Sequence, residues 1–205
     1  MTQSAPTARL ALEDGSVFHG HAFGDPTPRT IDGEVCFNTS MTGYQEILTD
    51  PSYAGQIVTM TYTQIGNYGI TDEDAESRRV WVSGFVVREL ANLVSNYRSS
   101  KNLETFLAEQ GVTGITGVDT RALTRKLRIE GSLKGVLSTE DHSNAELVNM
   151  ARNAAGLIGR NLAATVSIDK PLTWNDDLGD WQPMQGQVAK PGKPFHVVAI
   201  DCGAK

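Results

Sequence analysis

The sequence predicts a layered fold of the mixed α/β class. Strand signals crowd the first half of the chain, and helices alternate with strands in the second. After Gly156 the composition shifts, and a lone apolar strand closes the sequence. That shift predicts a linker and the opening of a further domain.

Each element has a local reason. Residues 1–7 read as a disordered tail. Arg9 to Glu13 and Ser16 to Phe23 read as strands joined at Asp14-Gly15, a strong hairpin dipeptide. Gly24 to Asp32 is a Pro/Thr loop, and Gly33 to Asn38 a strand. Thr42 to Thr49 reads as a short helix, since Tyr44, Ile47 and Leu48 share one face. Asp50 to Gly55 is a compact turn, followed by a strand from Gln56 to Tyr62. Gly66-Asn67-Tyr68-Gly69 is a tight turn, and Thr71 to Arg78 a charged loop. Val80 to Glu89 is apolar on both faces, as a central covered strand is.

Three helices with usable caps follow. Leu103 to Gln110 starts after Asn102 and stops at Gly111. Asp119 to Ile129 has Ala122, Leu123 and Leu127 as its apolar face and ends at Gly131. Ala145 to Ala155 is capped by Ser143 or Asn144. Strands fit between them at Gly114 to Val118 and at Leu133 to Ser138. The predicted organisation is a tail (1–7), a domain (8–156), a linker (157–193) and a terminal strand (194–205) that begins another domain. The linker has some hairpin character, and Phe195 to Ile200 supplies the strand.

Composition narrows the partners. The 205 residues are 40% hydrophobic and 20% charged, which is enough to build a core. A net charge of -6 leaves no general basic surface for nucleic acid or anionic membranes, so neither is expected as a partner. No apolar run is long enough to cross a bilayer. Met1 to Gly15 carries no apolar signal core. With two widely spaced cysteines, this places free thiols in a reducing cytoplasm.

The reactive residue types give no catalytic motif. His196 and Cys202 lie on one strand, but six extended residues hold them about 20 Å apart. A thiolate–imidazole pair needs hydrogen-bond reach, so they form no dyad there. Cys36, between Val35 and Phe37, reads as a small buried hydrophobe. His19 and His21 share a strand face, but no third ligand accompanies them, and no metal site is expected. Gly111, Gly114 and Gly117 are spaced as caps and turns, and the sequence has no G-x-S-x-G, P-loop, G-x-G-x-x-G or C-x-x-C. Arg121, Arg125, Lys126 and Arg128 crowd one helix, which is either a solvated face or a partner contact.

One hydroxyl stands out. Ser52 sits at the middle of the Asp50 to Gly55 turn. On chemistry alone it is either a turn hydroxyl bonded to its own backbone or a group aimed at a ligand, and the turn reading is favoured.

Three segments carry a resemblance. GEVCFNTSMTGYQEILTDPSYAGQIVTMTYTQIGNYG, GVDTRALTRKLRIEGSLKGVL and PFHVVAIDCGAK together resemble the small subunit of glutamine-dependent carbamoyl-phosphate synthetase. The likeness runs from Leu10 to Lys205 and weakens only between Asn161 and Pro194. Thr63 departs from the family's usual proline, and Cys202 stands where the family accepts other residues. The resemblance implies a swivelling β/β/α N-terminal domain followed by the start of a class I glutamine amidotransferase domain. It also implies a cytoplasmic subunit that hydrolyses L-glutamine and passes ammonia to a large subunit. There ATP, Mg and bicarbonate complete carbamoyl phosphate for arginine and pyrimidine synthesis, so no cofactor is expected in this subunit. The family's nucleophile sits in a G-x-C-x-G elbow, with its histidine and glutamate later still. None of these is in the 205 residues, so no catalytic residue is expected here, and the chain alone is expected to be inactive. The family's DPSY serine reaches the bound glutamine, and that position is Ser52. A non-catalytic module that docks on the large subunit is the alternative.

Overall fold

The computed structural model describes residues 7–175 and 196–204. Its centre is a closed barrel. The strands are β1 (Thr7–Leu12), β2 (Val17–Gly24), β3 (Thr30–Asn38), β4 (Gln56–Met60), β6 (Gly84–Val86), β8 (Thr113–Thr116) and β9 (Leu133–Ser138), in the order β1-β2-β8-β6-β4-β3-β9. β9 returns to β1 and closes the sheet. The barrel has two characters. β3, β4, β6 and β8 are mutually parallel, whereas β2, β1 and β9 join antiparallel. A separate ribbon pairs β5 (Gln64–Ile65) with β7 (Glu89–Leu90).

Alternation along the strands separates two cores, because successive side chains point to opposite faces. Val35, Ile57, Val86, Ile115 and Leu137 gather with Leu10 and Leu12, and with Leu123 and Leu127 of α3 (Thr120–Glu130). Val58, Met60 and Phe85 face the other way. They pack with Tyr44, Ile47 and Leu48 of α1 (Tyr44–Thr49) and with Leu103 and Leu107 of α2 (Leu103–Glu109). α4 (Asn144–Asn153) covers Ala11 and Val136 with Leu147 and Ala151.

The caps follow the predicted chemistry. Asn102 accepts from Thr105 N, Asp119 accepts from Ala122 N, and Ser143 forms a complete capping box with Glu146. Several expectations need correction. Val80 to Glu89 is not one strand: only Gly84–Val86 pairs with β4 and β8. Upstream, Trp81 N is drawn to Leu48 O and Ser83 N to Gln56 O, and Val87 N reaches Ile115 O. Gly114 is a strand residue of β8, not a turn. A Cβ there would fall 2.3 Å from Cζ of Phe23, so the glycine makes room for a ring. Ala122 lies on the exposed side of α3, and Thr120 joins Leu123 and Leu127 on the buried one.

The ends differ too. Thr7 already belongs to β1, and residues 1–6 lie outside the described residues. The linker region contains a short helix, α5 (Leu162–Val166), capped by Asn161 accepting from Ala164 N. The hairpin character expected after residue 175, and Phe195, lie outside the described residues. His196 to Ile200 forms no strand, and Val197, Val198 and Ile200 are exposed at 81%, 82% and 91%. A strand needs a neighbour for its N–H and C=O groups, and no described strand lies beside this one.

Candidate functional site: the Asp50–Tyr53 turn

The site is built from α1 outward. The helix starts at Gly43, whose φ of 81° is a left-handed conformation suited to glycine, and no side chain of its own sequence caps it. Tyr68 supplies the missing acceptor: its hydroxyl oxygen accepts from Gly43 N at 2.6 Å and Tyr44 N at 3.0 Å. The two tyrosine rings stack at 4.1 Å, and Tyr44 Oη donates to Gly69 O at 2.7 Å. Buried Gln45 ties the helix to the next loop through both the N–H and the C=O of Thr71. At the other end Ser77 Oγ donates to Thr49 O, and Trp81 Nε1 donates to Ser77 Oγ at 2.7 Å. Thus the Gly66–Gly69 turn and the charged loop fix both ends of α1.

α1 leads directly into a 3-10 turn, Pro51–Tyr53, capped by Asp50. Asp50 Oδ1 accepts from Ser52 N at 2.8 Å, and Asp50 O accepts from Tyr53 N at 3.1 Å. Pro51 suits the first position because φ is fixed there and no donor is needed. Tyr53 Oη accepts from Asn38 Nδ2 at 2.9 Å. Ser52 is exposed between buried Pro51 and half-buried Tyr53. Its backbone is held by Asp50, but its hydroxyl makes no hydrogen bond with any described residue. The turn therefore does not consume the hydroxyl, which is left to donate and accept outward.

Asp50 and Tyr53 also line a cavity of about 340 Å³ together with Asn38, Ser40, Thr42, Glu46 and Glu76. Burial pushes the Glu46 carboxyl above its usual range, and the nearby Asp74 and Glu76 charges add to the effect. Glu46 Oε2 is buried without a hydrogen-bond partner. Sequence spacing gave no sign of Glu46 or of Tyr68. Both act through contacts that exist only once α1 meets its neighbouring loops.

The other candidates stay apart. Cys36 is half-buried rather than a buried hydrophobe and its Sγ donates to Gln56 Oε1, while desolvation pushes its thiol up to about 12, so it is protonated at neutral pH. Cys202 is exposed and has no hydrogen bond to His196. His19 and His21 are exposed, and no group of three or more His, Cys, Asp or Glu suited to a metal occurs among the described residues. No helix among them is long and apolar enough to cross a membrane. On α3, Lys126 bonds Asp14 and Glu130, which removes it from the basic group. Arg121, Arg125 and Arg128 remain exposed without ion pairs among the described residues.

Among the described residues, a closed mixed barrel holds a short helix at both ends and carries the Ser52 hydroxyl on the turn that follows it. Residues 10–137 match the family described as carbamoyl-phosphate synthase small chain, CPSase domain. The chain belongs to that family. It is 51% identical over 199 residues to the carbamoyl phosphate synthase small chain of Aquifex aeolicus, covering 97% of this chain and 53% of the relative. It is 47% identical over 212 residues to that of Rhodopirellula baltica, covering 100% and 54%. The chloroplastic small chain of Oryza sativa subsp. japonica is 48% identical over 200 residues, with 97% and 44% covered. The chain thus spans about half the length of the curated relatives it matches. An aminopeptidase structure from Aneurinibacillus sp. strain AM-1 aligns with a TM-score of 0.39 at 18% identity over 66% of this chain and 31% of its own, too distant to carry an argument.

Proposed function

We propose that this chain forms the N-terminal part of a glutamine-hydrolysing carbamoyl-phosphate synthase small subunit, in which Ser52 contacts the amino-acid end of L-glutamine. The observation that carries the reading is the exposed Ser52 hydroxyl, free of hydrogen bonds to the described residues on a turn whose backbone is fixed. Membership of the carbamoyl-phosphate synthase small-chain family supports this reading, and L-glutamine is the substrate that the resemblance implies. In this reading the parallel and antiparallel halves of the barrel are the two sheet layers of a swivelling β/β/α domain, with α1 and α2 as the third. Residues 194–205 open the amidotransferase domain, and the nucleophilic cysteine, its histidine and its glutamate lie outside the 205 residues. The subunit is cytoplasmic, in keeping with two unpaired thiols. Ammonia passes to a large subunit that uses ATP, Mg and bicarbonate.

The Ser52 contact is tested in the complete subunit. A hydrogen bond to a charged group contributes about 1.5–3 kcal/mol. Ser52→Ala is therefore expected to lower glutamine kcat/KM about ten- to a hundredfold, mostly through KM, because the amino-acid end does not react. An unchanged KM contradicts the contact.

A second reading, a module that docks on the large subunit, is favoured by α3. Its buried Leu123 and Leu127 point opposite to Arg121, Arg125 and Arg128, so the unpaired guanidinium groups form one outward stripe. Reversing all three to glutamate is expected to weaken co-purification with the large subunit and to flatten its salt dependence. Equal retention of both proteins at every salt concentration assigns the stripe to solvent.

A further inference from the structure

The back of the Ser52 turn is assembled from separate stretches of chain. Ala54, Trp81 and Val166 of α5 form one small buried cluster. Gly55 faces the same region: a Cβ there would lie 3.1 Å from Leu157 Cδ2. Residues 201–204 complete the wall. Gly203 has a φ of +100°, and a Cβ on it would fall 2.5 Å from Val166 Cγ2 and 3.6 Å from Pro51 Cβ. Glycine suits this position for two reasons, its left-handed backbone and its close approach to Val166.

Asp201 fastens this wall. Its Oδ1 accepts from Gly203 N at 2.8 Å and Ala204 N at 2.6 Å, closing a local turn. Its Oδ2 accepts from Ile168 N at 2.8 Å, a bond that spans 33 residues to the end of α5. The cation facing this group is Arg78, whose guanidinium donates to Ser167 O at 3.4 Å and lies 5.0 Å from the Trp81 ring centre. The backbone N–H donors hold the Asp201 carboxyl below its usual range, so the tie is intact at neutral pH.

We propose that Asp201 and Gly203 are positioning residues for the Ser52 hydroxyl, bracing Pro51 and α5 from behind. The place of the hydroxyl is then set jointly by the barrel and by residues 201–204, so a shift of that segment is felt at Ser52. The functional consequence rests on Ser52 contacting glutamine; the mechanical coupling does not.

Amide hydrogen exchange on the 205-residue chain tests the coupling without glutamine. Asparagine at 201 has a single acceptor oxygen, so Asp201→Asn keeps either the local turn or the Ile168 bond, not both. It is expected to speed exchange at Ser52, Tyr53 and Ala54 about two- to fivefold, the range for an exposed charged contact. Gly203→Ala, which adds a clash and a left-handed strain, is expected to speed it about tenfold. Amides of β1 and β9 should not change. Faster exchange at Ile168, Gly203 and Ala204 with residues 52–54 unchanged overturns the coupling, as does a uniform rise that includes β1 and β9. If Gly203→Ala fails to fold, Asp201→Asn decides. In the complete subunit, Asp201→Asn should raise glutamine KM more than it lowers kcat and should add nothing in a Ser52→Ala background. Additive effects overturn the positioning role. A Ser52→Ala variant with unchanged KM overturns the glutamine reading and leaves the exchange result standing.

Discussion

Ser52 shows what a turn does for a single side chain. Asp50 and Pro51 use local chemistry to hold the backbone, so the hydroxyl is spared from that task. Glu46, on α1 just before that turn, presents the opposite case, with one carboxyl oxygen buried and without a partner. Its folded pKa is raised, so the charged form is disfavoured in the native state. Below the unfolded value near 4.5 both states are protonated and the residue costs nothing. The cost begins as pH rises past the unfolded value, grows toward the raised folded value and levels off above it. Glu46→Gln is therefore expected to raise the melting temperature at pH 7, with the gain vanishing as pH falls toward 4.5. Thermal unfolding at several pH values measures this, and a gain independent of pH contradicts it.

At the scale of elements, caps were legible and closure was not. Asn102, Asp119 and Ser143 bond N–H groups within three residues, which made Asn102 legible as a cap, whereas Ser143 and Asn144 stood as alternatives and Asp119 was counted inside its helix. Leu133–Ser138 was placed as a strand by its position between two helices. The pairing of β9 with both β1 and β3 joins distant parts of the chain, and no local signal encodes it. Gly114 was misread for the same reason, since its neighbour Phe23 lies on another strand. Gly114→Ala is expected to destabilise the fold by about 1–3 kcal/mol, because the buried Phe23 ring lies directly over Gly114 and would have to shift. Urea denaturation reads this directly, and a loss below about 0.5 kcal/mol contradicts the close packing.

At the scale of the whole molecule, the candidate site was only half legible. Ser52 was singled out in the sequence, and a role for it was only what the family resemblance implies. Its surroundings were not foreseen: Tyr68 capping α1, and α5 with residues 201–204 behind the turn. These are long-range contacts that spacing does not record. They also sharpen what a test must separate. If Ser52 serves only the turn, its loss loosens the barrel corner and disturbs every activity of the assembled enzyme together. If Ser52 holds glutamine as proposed, a glutamine-driven activity of the complete enzyme is expected to suffer while an ammonia-driven one is spared. The most direct measurement is the ratio of glutamine-driven to ammonia-driven carbamoyl phosphate formation in the assembled enzyme, Ser52→Ala against wild type. A glutamine contact at Ser52 predicts that this ratio falls about ten- to a hundredfold. A ratio equal to that of the wild type would contradict it.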